Sequence, residues 1–134
     1  MPSIDAIEGI TPKLATKLRK ARIRTTEGLL KKGATRSGRK AIATATGLTP
    51  EQILGWVNRA DLMRVKGIGE EYSDLLEEAG VDTVKELKNR KPAPLHAKLV
   101  AINEKSRLVR RLPTEQMVST WIAHAMKLPA VVKY

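Results

Sequence analysis

Displaced by 58 residues, the chain matches itself. The segment "IEGITPKLATKLRKARIRTTEGL" (7 to 29) lies over "VKGIGEEYSDLLEEAGVDTVKEL" (65 to 87). Gly9 meets Gly67, Ile10 meets Ile68, Leu18 meets Leu76 and Ala21 meets Ala79. Ile23, Thr25 and Leu29 meet Val81, Thr83 and Leu87. The match returns where "LTPEQILGWV" (48 to 57) resembles "LPTEQMVSTWI" (112 to 122), so the second copy carries a longer middle. A tandem duplication constrains the fold strongly, because each local structure must serve twice. The repeats are residues 1 to 60 and 61 to 134. Two separate cores of ~65 residues would each be marginal, so the copies are expected to pack as one unit. With no Phe, two Trp and two Tyr, the core must be aliphatic.

Each copy reads as about five short helices. In the first, a short helix is expected over roughly 3 to 8. The Gly9-Ile10-Thr11 turn follows, and Pro12 stands at the first position of the next helix, where its missing N–H does no harm. Leu14, Leu18 and Ala21 share one face of that helix. Thr25 or Thr26 caps a brief helix ending near Gly33. Ser37 opens another that stops at Gly47. "TPEQ" (49 to 52) supplies a cap, a proline and a capping-box glutamine. In the second copy Tyr72, Leu75, Leu76 and Ala79 form the apolar stripe, and Gly80 ends the helix. "RKPAP" (90 to 94) breaks the chain, a longer helix runs over about 95 to 104, and the last covers roughly 115 to 127. No stretch alternates with period two, so an all-α fold without a sheet is expected.

Lysine and arginine number 25 against 14 acids, a formal net charge of +11. Such an excess attracts polyanions, nucleic acid first among them. Residues 1 to 60 hold 12 Lys and Arg against 4 Asp and Glu, whereas residues 61 to 134 hold 13 against 10. The first repeat is thus the basic one and the second is of mixed charge. There is no cysteine, which excludes disulfides and thiolate metal sites. No apolar run approaches the ~18 residues of a membrane span, and the start of the chain lacks the pattern of a secretory signal. A cytoplasmic protein without a membrane partner is expected.

Helix, then Gly–apolar–Gly, then helix resembles the helix-hairpin-helix motif. "VKGIGEEYSDLLEEAG" carries the resemblance, and "IEGITPKLATKLRKAR" does so less perfectly. Nearly the whole chain also resembles a bacterial family catalogued as a domain of unknown function, family 4332, through "LLKKGATRSGRK", "ILGWVNRADLMRVKGIGEEYSDLLEEAGVDTVKEL" and "WIAHAMKLP". The motif implies a turn whose backbone N–H groups, at the start of the second helix, receive a DNA phosphate without reading sequence. Lysines early in that helix usually reinforce the contact, and a monovalent cation sometimes occupies the turn.

The two copies divide these features. The second has both glycines, Gly67 and Gly69 around Ile68, but Glu70, Glu71 and Asp74 follow and repel a phosphate. The first has Gly9 and Ile10 with Thr11 in place of the second glycine, followed by Lys13, Lys17, Lys20 and Arg24. Thr11 can itself cap the helix and compete for the same amides. Lys17 matches Leu75, so its stem could merely edge the core. The loop "LLKKGATRSGRKA" adds Lys31, Lys32, Arg36, Arg39 and Lys40, useful only if the fold sets it beside Lys13. The basic stretch "NEKSRLVRR" (103 to 111), with Lys105, Arg107, Arg110 and Arg111, reads as a solvated connector, with an extension of the basic surface as the alternative.

Trp56 and Trp121, in equivalent last helices, read as core anchors, with base stacking as the functional alternative. His96 and His124 stand alone, so neither metal nor cofactor is expected. No nucleophile motif is present, so the chain is not expected to be an enzyme. The sequence therefore points to DNA binding without sequence preference, with DNA ahead of RNA. The alternative is a protein-interaction or self-association module. The nucleic-acid reading requires that amides near the start of the chain be free for an anionic oxygen.

Overall fold

The structure, a computed structural model, describes residues 3–7 and 9–134. Those residues are helical: a 3-10 turn at Ile4–Ala6, then α1 (Pro12–Lys20), α2 (Thr26–Gly33), α3 (Arg36–Thr46), α4 (Pro50–Leu62), α5 (Glu70–Glu78), α6 (Val84–Lys88), α7 (Pro92–Ser106) and α8 (Glu115–Lys127). One isolated bridge joins Ser3 to Thr25, and no strand forms among the described residues. The helix expected over 3 to 8 is only the 3-10 turn, and Glu8 lies outside the described residues. By contacts the chain divides into two compact units. One runs through Asp61 and also takes Val131–Tyr134; the other is Leu62–Ala130.

In the first unit, threonines begin the helices. Thr11, Thr25 and Thr35 each accept an N–H three residues on. Thr49 and Gln52 bond reciprocally: the Thr49 N–H donates to the glutamine and the Gln52 N–H to the threonine hydroxyl, both at 3.2 Å. These bonds satisfy donors that a helix start leaves open, each cap adding ~1 kcal/mol. The cap of α3 is Thr35 rather than Ser37; the Ser37 hydroxyl instead pairs with that of Thr35 at 3.3 Å. Behind the caps lie Ile4, Ile7, Ala15, Leu18, Ile23, Leu29, Ile42, Ile53, Trp56 and Val57, all buried.

The second unit repeats much of this local geometry. The Ile10 N–H donates to the Ile7 carbonyl at 3.1 Å, and the Ile68 N–H to Val65 at the same distance. Ile23 reaches back to Leu18 at 2.9 Å, and Val81 to Leu76 at 2.8 Å. Thr83 caps α6 as Thr25 caps α2. α7 begins at Pro92, three residues before the expected start, because "RKPAP" places its prolines in a first turn that needs no N–H from them. The units also differ. Leu75 is buried in one core cluster with Leu95 and Leu99 of α7, whereas Lys17, its counterpart, is exposed.

Gly9 and Gly67 both have φ of +94°, a conformation that disfavours any side chain. A Cβ on Gly67 would also lie 3.0 Å from Trp121 Nε1. Gly67→Ala is expected to lower unfolding free energy by about 1–3 kcal/mol. Gly69→Ala has no atom within 4 Å to meet and extended backbone; it should cost under ~1 kcal/mol. Urea unfolding of both variants measures the difference, and equal losses would refute this account of the turn.

Candidate nucleic-acid interface

The turn before α1 arises from two backbone bonds and one glycine. Ile7 donates to Ile4, Ile10 donates to Ile7, and Gly9 supplies the left-handed link. Thr11 then stands in extended backbone as the N-cap, with Pro12 in the first helical position. Its hydroxyl accepts the Leu14 N–H at 3.3 Å. The expectation of an uncapped amide cluster is corrected here. Ile10 turns its N–H inward to Ile7 and its side chain into the core, and Leu14 is occupied by the cap. The N–H groups of Gly9, Thr11 and Lys13 have no acceptor among the described residues.

Lys13, Lys17 and Lys20 are spaced i, i+4, i+7 along the solvent side of α1, all exposed, opposite the buried Ala15 and Leu18. They make no ion pair with a described residue. The first turn of α1 has no acid, so the partial positive charge of its N-terminus is unopposed from within the helix. Arg19, on the flank, is drawn toward Asp5 at 3.6 Å. Arg24 is exposed just past the helix.

The basic loop is only partly available. Lys31, Arg36 and Lys40 are exposed. Lys32 is exposed too, but its Nζ donates to the Arg22 carbonyl at 3.1 Å. The loop therefore adjoins the end of α1, near Lys20 and Arg24. Lys13 is seven residues away along α1, a rise of roughly 10 Å.

Arg39 must be removed from the contact set. It is 4% exposed, and its guanidinium donates to the carbonyls of Gly33 (2.9 Å), Ala34 (3.2 Å) and Lys133 (2.7 Å). Two of those carbonyls close the C-terminus of α2, where a cation is favoured. The residue joins α2 to the 131–134 segment inside the first unit.

The second turn has the opposite character. Gly69 is the N-cap of α5 and provides no side-chain bond. Glu70 and Glu71 occupy the first turn, complementing the dipole and opposing an anion. The Lys66 N–H, one residue before Gly67, donates to His124 Nδ1 at 3.1 Å. His96 Nε2 lies 2.9 Å from the Pro113 carbonyl. Both histidines thus take structural bonds, and no cluster of potential metal ligands occurs among the described residues. In the 103 to 111 stretch, Asn103 bonds both the N–H and the carbonyl of Val109, closing the connector on itself.

Trp56 and Trp121 are buried, and Tyr72 packs against Trp121 with ring centroids 5.1 Å apart. The sequence did not disclose which ring edge meets the turn. A Cβ on Gly9 would lie 3.4 Å from Trp56 Nε1, as one on Gly67 would lie close to Trp121 Nε1. The presence of one tryptophan and one such glycine turn in each unit was the available signal.

No helix among the described residues is long and apolar enough to cross a membrane. Residues 8–128 match the sequence model of a family described as a domain of unknown function, DUF4332. No solved structure matches the chain significantly.

Proposed function

Since the chain belongs to the DUF4332 family, a domain of unknown function, its role rests on its own chemistry, and we propose that it binds DNA without sequence preference. The contacts are to phosphates, at the Gly9–Lys13 turn and along Lys13, Lys17 and Lys20. In this reading each repeat is a helix-hairpin-helix, the first meeting nucleic acid and the second serving mainly as scaffold. One observation carries it: three exposed lysines, unpaired among the described residues, line a helix that opens on a positive-φ glycine turn with no acid in its first turn. Arg24, Lys31, Lys32, Arg36 and Lys40 extend the positive surface of the same unit. The role is binding rather than catalysis.

A fluorescence titration of a short duplex at several salt concentrations tests the proposal. Four phosphate contacts give a slope of log affinity against log salt near ~−3.6. A slope shallower than about −1, or no binding near 50 mM salt, would remove the proposal. A double-stranded RNA competitor separates the two nucleic acids.

A specific feature favours the alternative, a protein-interaction module. An apolar groove of about 310 Å³ is lined by Ala21, Ile23, Lys32, Gly38, Ala41, Ile42 and Ala45. Under that reading, Glu70→Lys with Glu71→Lys alters oligomeric size by sizing chromatography, while Lys13→Glu with Lys17→Glu leaves DNA titrations unchanged.

A further inference from the structure

Trp56 is 7% exposed and Trp121 3%. Neither indole N–H has an acceptor among the described residues. An indole N–H placed this deep ordinarily finds a partner. Among the described residues no fully buried side-chain nitrogen or oxygen lacks a partner, so these nitrogens are not wholly cut off from solvent. Each lies against the positive-φ glycine of its own turn, Gly9 or Gly67. A side chain on that glycine would crowd the space beside the indole nitrogen.

In the first unit the Trp56 indole N–H lies against Gly9, and along the same turn the amides of Gly9, Thr11 and Lys13 have no acceptor among the described residues. Lys13 adds a full positive charge. A set made only of donors takes an acceptor with several oxygens, and charge selects an anion. We infer that the Trp56 indole N–H donates to the phosphodiester oxygen held at the Gly9–Lys13 turn, making this tryptophan a DNA-binding residue as well as a core anchor. The inference rests on the DNA reading above and deepens it. Trp121 also lies against its glycine, but Glu70 and Glu71 stand in the first turn of the helix that follows and oppose an anion there.

The chain has two tryptophans, so its ¹⁵N spectrum has two indole N–H resonances, assignable with Trp56→Phe and Trp121→Phe. On titration of the full chain with a short duplex, the Trp56 resonance is expected to move downfield and saturate together with the Thr11 and Lys13 amides. The Trp121 resonance stays in place. Trp56→Phe, which keeps an aromatic ring in the core, weakens duplex binding about tenfold; Trp121→Phe leaves it unchanged. The wild-type resonances report even if a variant folds poorly. A stationary Trp56 resonance, while Lys13→Glu still weakens binding, overturns the inference and leaves the DNA reading intact. Failure of the duplex to bind overturns both. An equal shift with inorganic phosphate at the same total phosphorus assigns the donor to free phosphate and overturns its assignment to DNA.

Discussion

Reversing Lys13 and Lys17 to glutamate should weaken duplex binding by about 100-fold near physiological salt and flatten the log–log salt dependence by about 1.8. Each lysine neutralises a phosphate and releases a counterion; each glutamate adds repulsion at the same place. Both residues are exposed on α1, so the loss does not come from a damaged core. Lys13 stands in the first turn of α1, where a carboxylate complements the helix dipole, and Lys17 in the last, where a carboxylate opposes it, so melting temperature should change little. Glu70→Lys with Glu71→Lys is the matched control. It removes acids from the start of α5, where Gly69 offers no side-chain cap, and should lower stability slightly without weakening DNA binding. Anisotropy titrations with parallel melts measure both pairs. A change under about twofold in the first pair would place the contacts elsewhere.

Arg39→Met is expected to cost about 2–4 kcal/mol. Methionine keeps much of the stem volume but donates nothing. The Gly33 carbonyl then loses its guanidinium donor, and the α2 terminus loses the charge that complements it. Ala34 retains the Lys133 N–H at 2.7 Å, but Lys133 loses the bond to its own carbonyl. The 131–134 segment should therefore loosen and become sensitive to limited proteolysis. Lys40→Met, one residue along and exposed, should stay within ~0.5 kcal/mol of wild type. Equal urea midpoints for the two variants would show that the Arg39 bonds contribute no net stability.

The helices were legible because their signals are local. Thr25, the Thr49–Gln52 box, Gly47 and the span of α8 all follow from short-range hydrogen bonding and periodicity. The misplaced starts also have local reasons. Two hydroxyls compete at Thr35 and Ser37, and prolines that break an interior open a first turn at Pro92. The site was harder to read. Composition identifies a basic loop but not which cation turns inward, and Arg39 is chosen by carbonyls at the end of a different helix. Likewise Thr11 could be foreseen as a competitor for the amides, but the indole edge beside Gly9 depends on how α4 packs.

The return of Val131–Tyr134 to the first unit has a consequence for synthesis on the ribosome. The partners that complete this unit, the Lys133 carbonyl for Arg39 and the Tyr134 hydroxyl for Asn58, are translated only after all of Leu62–Ala130. Of the two units, the one begun first is thus the one finished last. While the nascent chain lengthens, its guanidinium waits for a carbonyl that has yet to be made.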